Sequence, residues 1–181
     1  MGVDRKIPIT ALLSAFLAAP LLAQGPVLDP LSARLLAAHN RERAAVGVPP
    51  LQWDPFLAAS AASYGPSIAA AGRLQHSPRA TRPGQRENLW MGTRGAYSPE
   101  QMVGYWADEK RMFRPGVFPN VSTTGNWLDV THYTVMIWPT TTRVGCAIYS
   151  SRTYDYLICR YSPPGNIDGT RLLLPPEVER G

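Results

Sequence analysis

In the first two thirds of the chain, apolar residues recur every three or four positions, which is typical of amphipathic helices. Three such stretches begin at an Asp-Pro or Ser-Pro pair, in which a polar side chain caps the helix and proline occupies its first turn. Two of them end at a glycine. The sequence therefore predicts helices over residues 30–46, 56–71 and 99–113.

The last third of the chain is rich in β-branched and aromatic residues, which favour strands. These runs cover residues 131–138, 143–149 and 154–161, and a shorter extended segment covers 87–90. Because helices come first and most strands come last, the order predicts an α+β fold with an antiparallel sheet.

Two of the β-rich runs, Val144–Tyr149 and Tyr156–Tyr161, flank a short polar segment and predict a β-hairpin. In a hairpin that turns within residues 150–155, Cys146 and Cys159 face each other directly. If the chain is exported, an even number of cysteines indicates a disulfide; the alternative is two free buried thiols.

The N-terminus has the pattern of a secretory signal. Arg5 and Lys6 precede an apolar stretch, Ile7–Ala23, which ends in small residues before the polar Gln24. Cleavage after this stretch makes residues 1–23 a signal peptide and the mature protein secreted or periplasmic; an uncleaved anchor is the alternative. No later stretch is long enough to span a membrane, so no transmembrane segment is expected after cleavage.

Composition and charge narrow the function classes. The chain has 181 residues, of which 45% are hydrophobic, and this favours a single domain with a sizeable core. Its net charge of +5 is the excess of 18 Lys and Arg residues over 13 Asp and Glu residues. The basic residues are scattered and form no run, so no nucleic acid partner is expected. A mild positive charge is compatible with an anionic surface or envelope polymer. No zinc-protease, phosphate-loop or serine-hydrolase motif occurs.

The first candidate for chemistry is Glu109. It shares the spacing of one helix face with four apolar residues, Met102, Tyr105, Trp106 and Phe113. A carboxylate on a buried face needs a partner, because burying its charge alone is unfavourable. A histidine is one possible partner, and a structural ion pair with Arg111 or Arg86 is the alternative.

Three further residues gain interest only together. His132 heads the apolar run 132–138, where by itself it is more typical of a buried structural residue. Glu87 enters the extended segment 87–90, and His76 lies in a loop.

An ordered series of segments resembles the CAP superfamily, which includes cysteine-rich secretory proteins, insect venom antigens and plant pathogenesis-related class 1 proteins. In chain order the similar segments are Ala38–Arg43 with Pro50–Trp53, Leu74–Ser77, Glu87–Leu89, Trp106 with Glu109, His132–Trp138 and Cys159–Asn166. The resemblance assigns residues 31–167 to a CAP domain. It leaves 24–30 as an N-terminal extension and 168–181 as a Pro-rich C-terminal tail.

This resemblance implies a three-layer α-β-α sandwich with a central antiparallel sheet. It also implies that four side chains converge on one central cleft, namely His76, Glu87, Glu109 and His132. His39 corresponds instead to a histidine that packs a helix. Two departures from the family pattern stand out: Val135 replaces a glutamine and removes an amide donor, and Arg86 replaces a glycine and puts a cation beside Glu87.

Two imidazoles suit a divalent cation such as zinc, so His76 and His132 are the predicted metal ligands. Glu87 and Glu109 are the candidate catalytic residues, since each could bind metal through water, orient a histidine or move a proton. No organic cofactor is expected. The resemblance implies a binding module for sterols, other lipids or envelope ligands. Two alternatives stay open: a metal-assisted peptide or ester hydrolase, and a structural domain that binds a protein partner.

Overall fold

The computed structural model describes residues 28–173 together with Met1. The predicted signal peptide (beyond Met1) and the end of the predicted tail lie outside the described residues. None of the helices in the described part is both long and apolar enough to cross a membrane.

Four α-helices occur within residues 28–173: α1 (Pro30–Ala45), α2 (Pro55–Ala71), α3 (Pro99–Ala107) and α4 (Thr131–Met136). The predicted caps are present. Asp29 and Asp54 each accept hydrogen bonds from two backbone N–H groups of the following turn, and Ser98 forms a reciprocal capping box with Gln101. α3 is shorter than predicted, because the chain tightens after Ala107 into a 3-10 turn, Asp108–Arg111, which carries Glu109.

The strands of the described part form two sheets. The larger has the spatial order β1 (Gln52–Trp53), β4 (Arg143–Ser150), β5 (Tyr154–Ser162), β2 (Arg86–Thr93), and the smaller pairs β3 (Gly116–Val117) with β6 (Arg171–Leu172). The three long strands are antiparallel, as predicted, whereas the edge strand β1 runs parallel to β4. Parallel pairing needs a long crossover, and residues 54–142 supply it.

Helices cover both faces of the larger sheet, which gives the three layers that the resemblance implies. Along β5, Leu157, Cys159 and Tyr161 pack in the same apolar cluster as α1, α3 and α4. The alternate residues Tyr156 and Ile158 pack in a second cluster against α2. This alternation is the period of a strand buried on both sides.

The β4–β5 hairpin has the predicted register. Cys146 and Cys159 are Cα partners across the two strands and form a disulfide. Both residues lie in the apolar cluster beneath α1 and α3.

The prediction of a strand over residues 131–138 is wrong, because this segment forms α4 and the residues after it. All residues from Tyr133 to Trp138 are at most 3% exposed, and a run buried on every side has no polar periodicity that separates strand from helix. The carboxylate of Glu109, which lies 23 residues before His132 in the chain, favours the helix α4. Glu109 accepts the backbone N–H groups of His132 and Tyr133, which an isolated helix start leaves unpaired.

His39 is buried between α1 and the sheet, as the resemblance implies. Its Nδ1 lies 2.8 Å from the Leu35 carbonyl oxygen and its Nε2 lies 2.8 Å from the Tyr161 hydroxyl. Since a carbonyl only accepts, Nδ1 carries the proton and Nε2 accepts from the hydroxyl. Burial lowers the pKa of His39 to about 4, with a smaller contribution from the charge of Arg43.

We expect the neutrality of His39 to make stability depend on pH. The unfolded chain protonates this imidazole near its ordinary pKa of 6.5, and the folded chain does so only near 4. The contribution of neutral His39 to the free energy of unfolding is therefore fully present above pH 6.5. About 3 kcal/mol of it is lost as the pH drops towards 4. Urea titrations across this range measure the effect. The same fall in a His39→Gln variant would contradict the assignment.

Candidate functional site

The four predicted site residues form two His–Glu pairs. His76, from the loop after α2, places Nδ1 at 2.7 Å from Oε1 of Glu87 on β2. His132, in the first turn of α4, places Nδ1 at 2.5 Å from Oε1 of Glu109. In both pairs the carboxylate contacts Nδ1 of the imidazole. The other nitrogen, Nε2, has no hydrogen-bond partner among the described residues.

These pairs border an open cleft of about 680 Å³. His76, Glu87 and His132 line the cleft directly. Glu109 lies behind His132 and, together with His132, lines an adjoining groove that contains Trp90 and Trp106. His132 is thus a wall shared by the two cavities.

Glu87 is a completely buried carboxylate surrounded by donors. Besides His76, it accepts from the backbone N–H and the hydroxyl of Ser77, and Nη2 of Arg160 lies 3.0 Å from Oε2. Burial by itself raises the pKa of Glu87. The hydrogen bond from His76, the charge of Arg160 and the Ser77 bonds outweigh burial, and the pKa is lowered. Glu87 is therefore held as an anion.

The sequence predicted Arg86 as the cation beside Glu87, but the structure pairs Glu87 with Arg160 instead. Successive side chains of a strand point to opposite faces, and Arg86 donates instead to the carbonyl oxygens of Gly165 and Asn166. Arg160 takes this role because it faces Glu87 across the β2–β5 ladder, with Arg82 at 3.9 Å. Sequence reasoning missed Arg160, Arg82 and Ser77. The register of β2 on β5 is the signal that finds Arg160.

Glu109 is paired with His132 and with neither arginine alternative. Its Oε2 accepts the N–H groups of His132 and Tyr133 while Oε1 holds the imidazole, so one carboxylate both caps α4 and orients the ring. Trp106 stacks on the same imidazole, with centroids 6.1 Å apart and planes inclined by 13°. Arg111 lies instead 3.4 Å from Asp108.

The donor set suits a divalent metal of the zinc type. A metal-binding histidine commonly donates one ring N–H to a carboxylate and coordinates through the other nitrogen, which is the arrangement of both pairs. Within residues 28–173, the one group of three His, Cys, Asp or Glu side chains with ligand atoms within 4.8 Å is His39, Cys146 and Cys159. Those two sulfurs are bonded to each other, so this group holds no metal. His76 and His132 both line the cleft, but no three of the four paired side chains have their ligand atoms within 4.8 Å of one another.

Comparison with known proteins identifies the family. A model of the cysteine-rich secretory protein (CAP) family matches residues 36–161. Pathogenesis-related protein 1B of Nicotiana tabacum is 38% identical over 136 residues, which is 74% of this chain and 76% of that protein. A secreted protein of Candida albicans, RBT4, is 31% identical over 149 residues, 76% of this chain and 36% of that protein.

A solved structure shares the fold. The crystal structure of NaASP2 with Zn²⁺ matches with a TM-score of 0.67 at 20% identity, covering 85% of this chain and 88% of that one. The family model spans residues 36–161, which contain all four paired residues, and the plant protein matches 74% of this chain. The protein therefore belongs to the CAP family of cysteine-rich secretory proteins.

Proposed function

We propose that this protein is an exported binding module whose cleft binds a divalent cation such as zinc and receives a lipid-like or cell-envelope ligand. The observation that carries the metal proposal is the repeated use of Nδ1. In each pair a glutamate holds Nδ1, which fixes the ring and leaves Nε2 as a lone-pair donor. A protein that shares the fold, NaASP2, was crystallised with Zn²⁺, which makes zinc the first cation to test here.

Binding is favoured over metal-assisted hydrolysis by the state of the two glutamates. Glu109 accepts three hydrogen bonds from His132 and Tyr133, and Glu87 is buried among His76, Ser77 and Arg160. A general base needs a carboxylate oxygen that can reach a proton on water or substrate. Both glutamates use their oxygens to position histidines and backbone, so neither is free to act as the base of a hydrolase. A bound zinc ion would supply a Lewis acid but not that base.

The size and lining of the cleft support a small organic ligand. About 680 Å³ lies within the range of ligand pockets. Val135, which replaces the glutamine of the family pattern, adds an apolar surface to the wall, and Asn88 and Asn166 add polar groups. Such a mixture suits an amphiphilic molecule.

Export is supported by three observations. The N-terminal sequence has the signal pattern, RBT4 is a secreted protein, and the Cys146–Cys159 disulfide fits an oxidising compartment.

Zinc titration of metal-free protein by calorimetry tests the metal proposal. We expect micromolar or tighter binding, weakened at least tenfold in the His76→Ala/His132→Ala double variant, because both proposed ligands are then absent. Affinity should also fall as the pH is lowered, since a protonated imidazole cannot coordinate metal.

The chain contains one matched control for this titration. The chain has three histidines, and His39 is the one outside the two His–Glu pairs. Both of its ring nitrogens are already hydrogen-bonded inside the core. A folded His39→Gln variant should therefore bind zinc like the original protein. Equal zinc affinity in the original protein and in a folded double variant would refute the metal proposal.

A further inference from the structure

The walls of the cleft differ sharply in chemistry. The wall formed by residues 76–88 is polar and contributes three arginines, Arg79, Arg82 and Arg86. The wall formed by residues 118–135 is mainly apolar, with Phe118, Trp127, Leu128 and Val135. A third segment, Asn166–Asp168, contributes Ile167 and the carboxylate of Asp168. Its Asn166 contacts both other segments, since its carbonyl accepts from Arg86 and its side-chain amide donates to the Thr131 carbonyl.

The three arginines are close enough to repel one another. Burial lowers the pKa of Arg86, and the charges of Arg79 and Arg82 lower it further, while Asp168 acts in the opposite sense. Two of these side chains are held in place: Arg86 donates to the Gly165 and Asn166 carbonyls, and Arg82 donates to Ser77 and to the Gln85 carbonyl. Fixed like charges create a positive potential that an incoming anion relieves.

The carboxylates of the cleft do not cancel this charge. Glu87 lies against two guanidinium groups, with Nη2 of Arg160 at 3.0 Å and Nε of Arg82 at 3.9 Å. Together with Asp168, this leaves two carboxylates against four arginines, Arg79, Arg82, Arg86 and Arg160. The arginine wall keeps a positive excess.

Large apolar side chains of the cleft lining remain in contact with solvent. Trp127 is 38% exposed, Leu128 56% and Ile167 48%, and all three line the cleft. Clustered apolar surface of this kind commonly marks a binding site in a soluble domain.

We propose that the ligand of this cleft is an anionic amphiphile with one alkyl chain. Its acid group, a carboxylate or a phosphate, lies against Arg79, Arg82 and Arg86, and its chain lies along Trp127, Leu128 and Ile167. Guanidinium groups match the planar oxygens of both acids. This inference rests on the proposed lipid-binding function and specifies the charge of the ligand.

Three probes with the same ten-carbon chain test the charge requirement: decanoate, decanol and decyltrimethylammonium. Each is titrated by calorimetry into metal-free protein in the presence of chelator, below its micellar concentration, with acetate as the probe that lacks a chain. We expect decanoate to bind at least tenfold more tightly than decanol, and the cation and acetate to show no saturable binding.

Arg79→Gln tests the arginine wall, since Arg79 is exposed on a short turn and its replacement leaves the buried network intact. Losing one charge-assisted contact should weaken decanoate about tenfold and leave decanol unchanged. Arg152→Gln is the matched control. Arg152 is also exposed but lies in the β4–β5 turn, at the opposite end of the sheet from Arg86.

The outcomes separate this proposal from the general one. Decanol binding as tightly as decanoate overturns the anionic assignment and leaves a lipid-binding cleft. Acetate binding as tightly as decanoate overturns the amphiphile and leaves a simple anion site. Unchanged decanoate affinity in Arg79→Gln, or an equal loss in Arg152→Gln, overturns the assignment to this wall. Saturable binding of none of the probes overturns this inference together with the lipid part of the proposed function.

Discussion

Replacing Arg43 by methionine is expected to lower the free energy of unfolding by about 4 kcal/mol. The Arg43 side chain is 1% exposed and donates to four backbone carbonyl oxygens, those of Pro49, Met136, Trp138 and Thr141, at 2.6–2.9 Å. Methionine fills a similar volume without a donor, so these buried carbonyls lose their partner. Relief from burying a cation offsets part of the loss.

Urea unfolding measures this change, and Arg41 provides a control on the same helix. Its side chain is 63% exposed and lies 3.8 Å from Glu42, so Arg41→Met should alter stability by less than about 0.5 kcal/mol. The contrast matters for the site, because Arg43 ties α1 to the end of α4, the helix that carries His132. A loss below about 1 kcal/mol in Arg43→Met would mean that water replaces these bonds.

Removing the disulfide is expected to have the second largest effect. A Cys146→Ala/Cys159→Ala variant loses a link between residues 13 apart in sequence, which in the chain-entropy model lowers stability by about 3 kcal/mol. Alanine is the suitable replacement because the two sites are 6% and 0% exposed, and a serine hydroxyl would be buried there.

The same measurement contains its own control. Reducing the original protein should lower its stability by a similar amount, whereas the alanine variant should not respond to the reductant. A variant as stable as the oxidised protein would show that strand pairing alone holds the hairpin. Zinc binding is not expected to change in either case, because His76 and His132 lie on other elements.

Local signals in the sequence predicted the parts of the fold that depend on a few neighbouring residues. The caps at Asp29, Asp54 and Ser98 formed as expected, because each side chain bonds only the next turn. The hairpin register that pairs Cys146 with Cys159 also followed from local spacing.

The site was predicted unevenly. The family resemblance singled out His76, Glu87, Glu109 and His132, and the spacing of α3 alone indicated that Glu109 needs a partner. Neither indicated that each glutamate would hold Nδ1 of one histidine. Arg160 was missed because it reaches Glu87 only through the pairing of β5 with β2, and contacts between distant segments leave no local pattern.

By itself, therefore, the sequence determined the starts of α1, α2 and α3 and the hairpin with its disulfide. Through the resemblance it also determined the family and the candidate residues. The tertiary structure alone decided that residues 131–136 form a helix and that β1 joins the sheet in parallel. It also decided that Arg86 donates to the carbonyl oxygens of Gly165 and Asn166 and does not pair with Glu87. The physical reason is common to all three: a distant partner supplies hydrogen bonds that outweigh local preference, as Glu109 does when it caps α4.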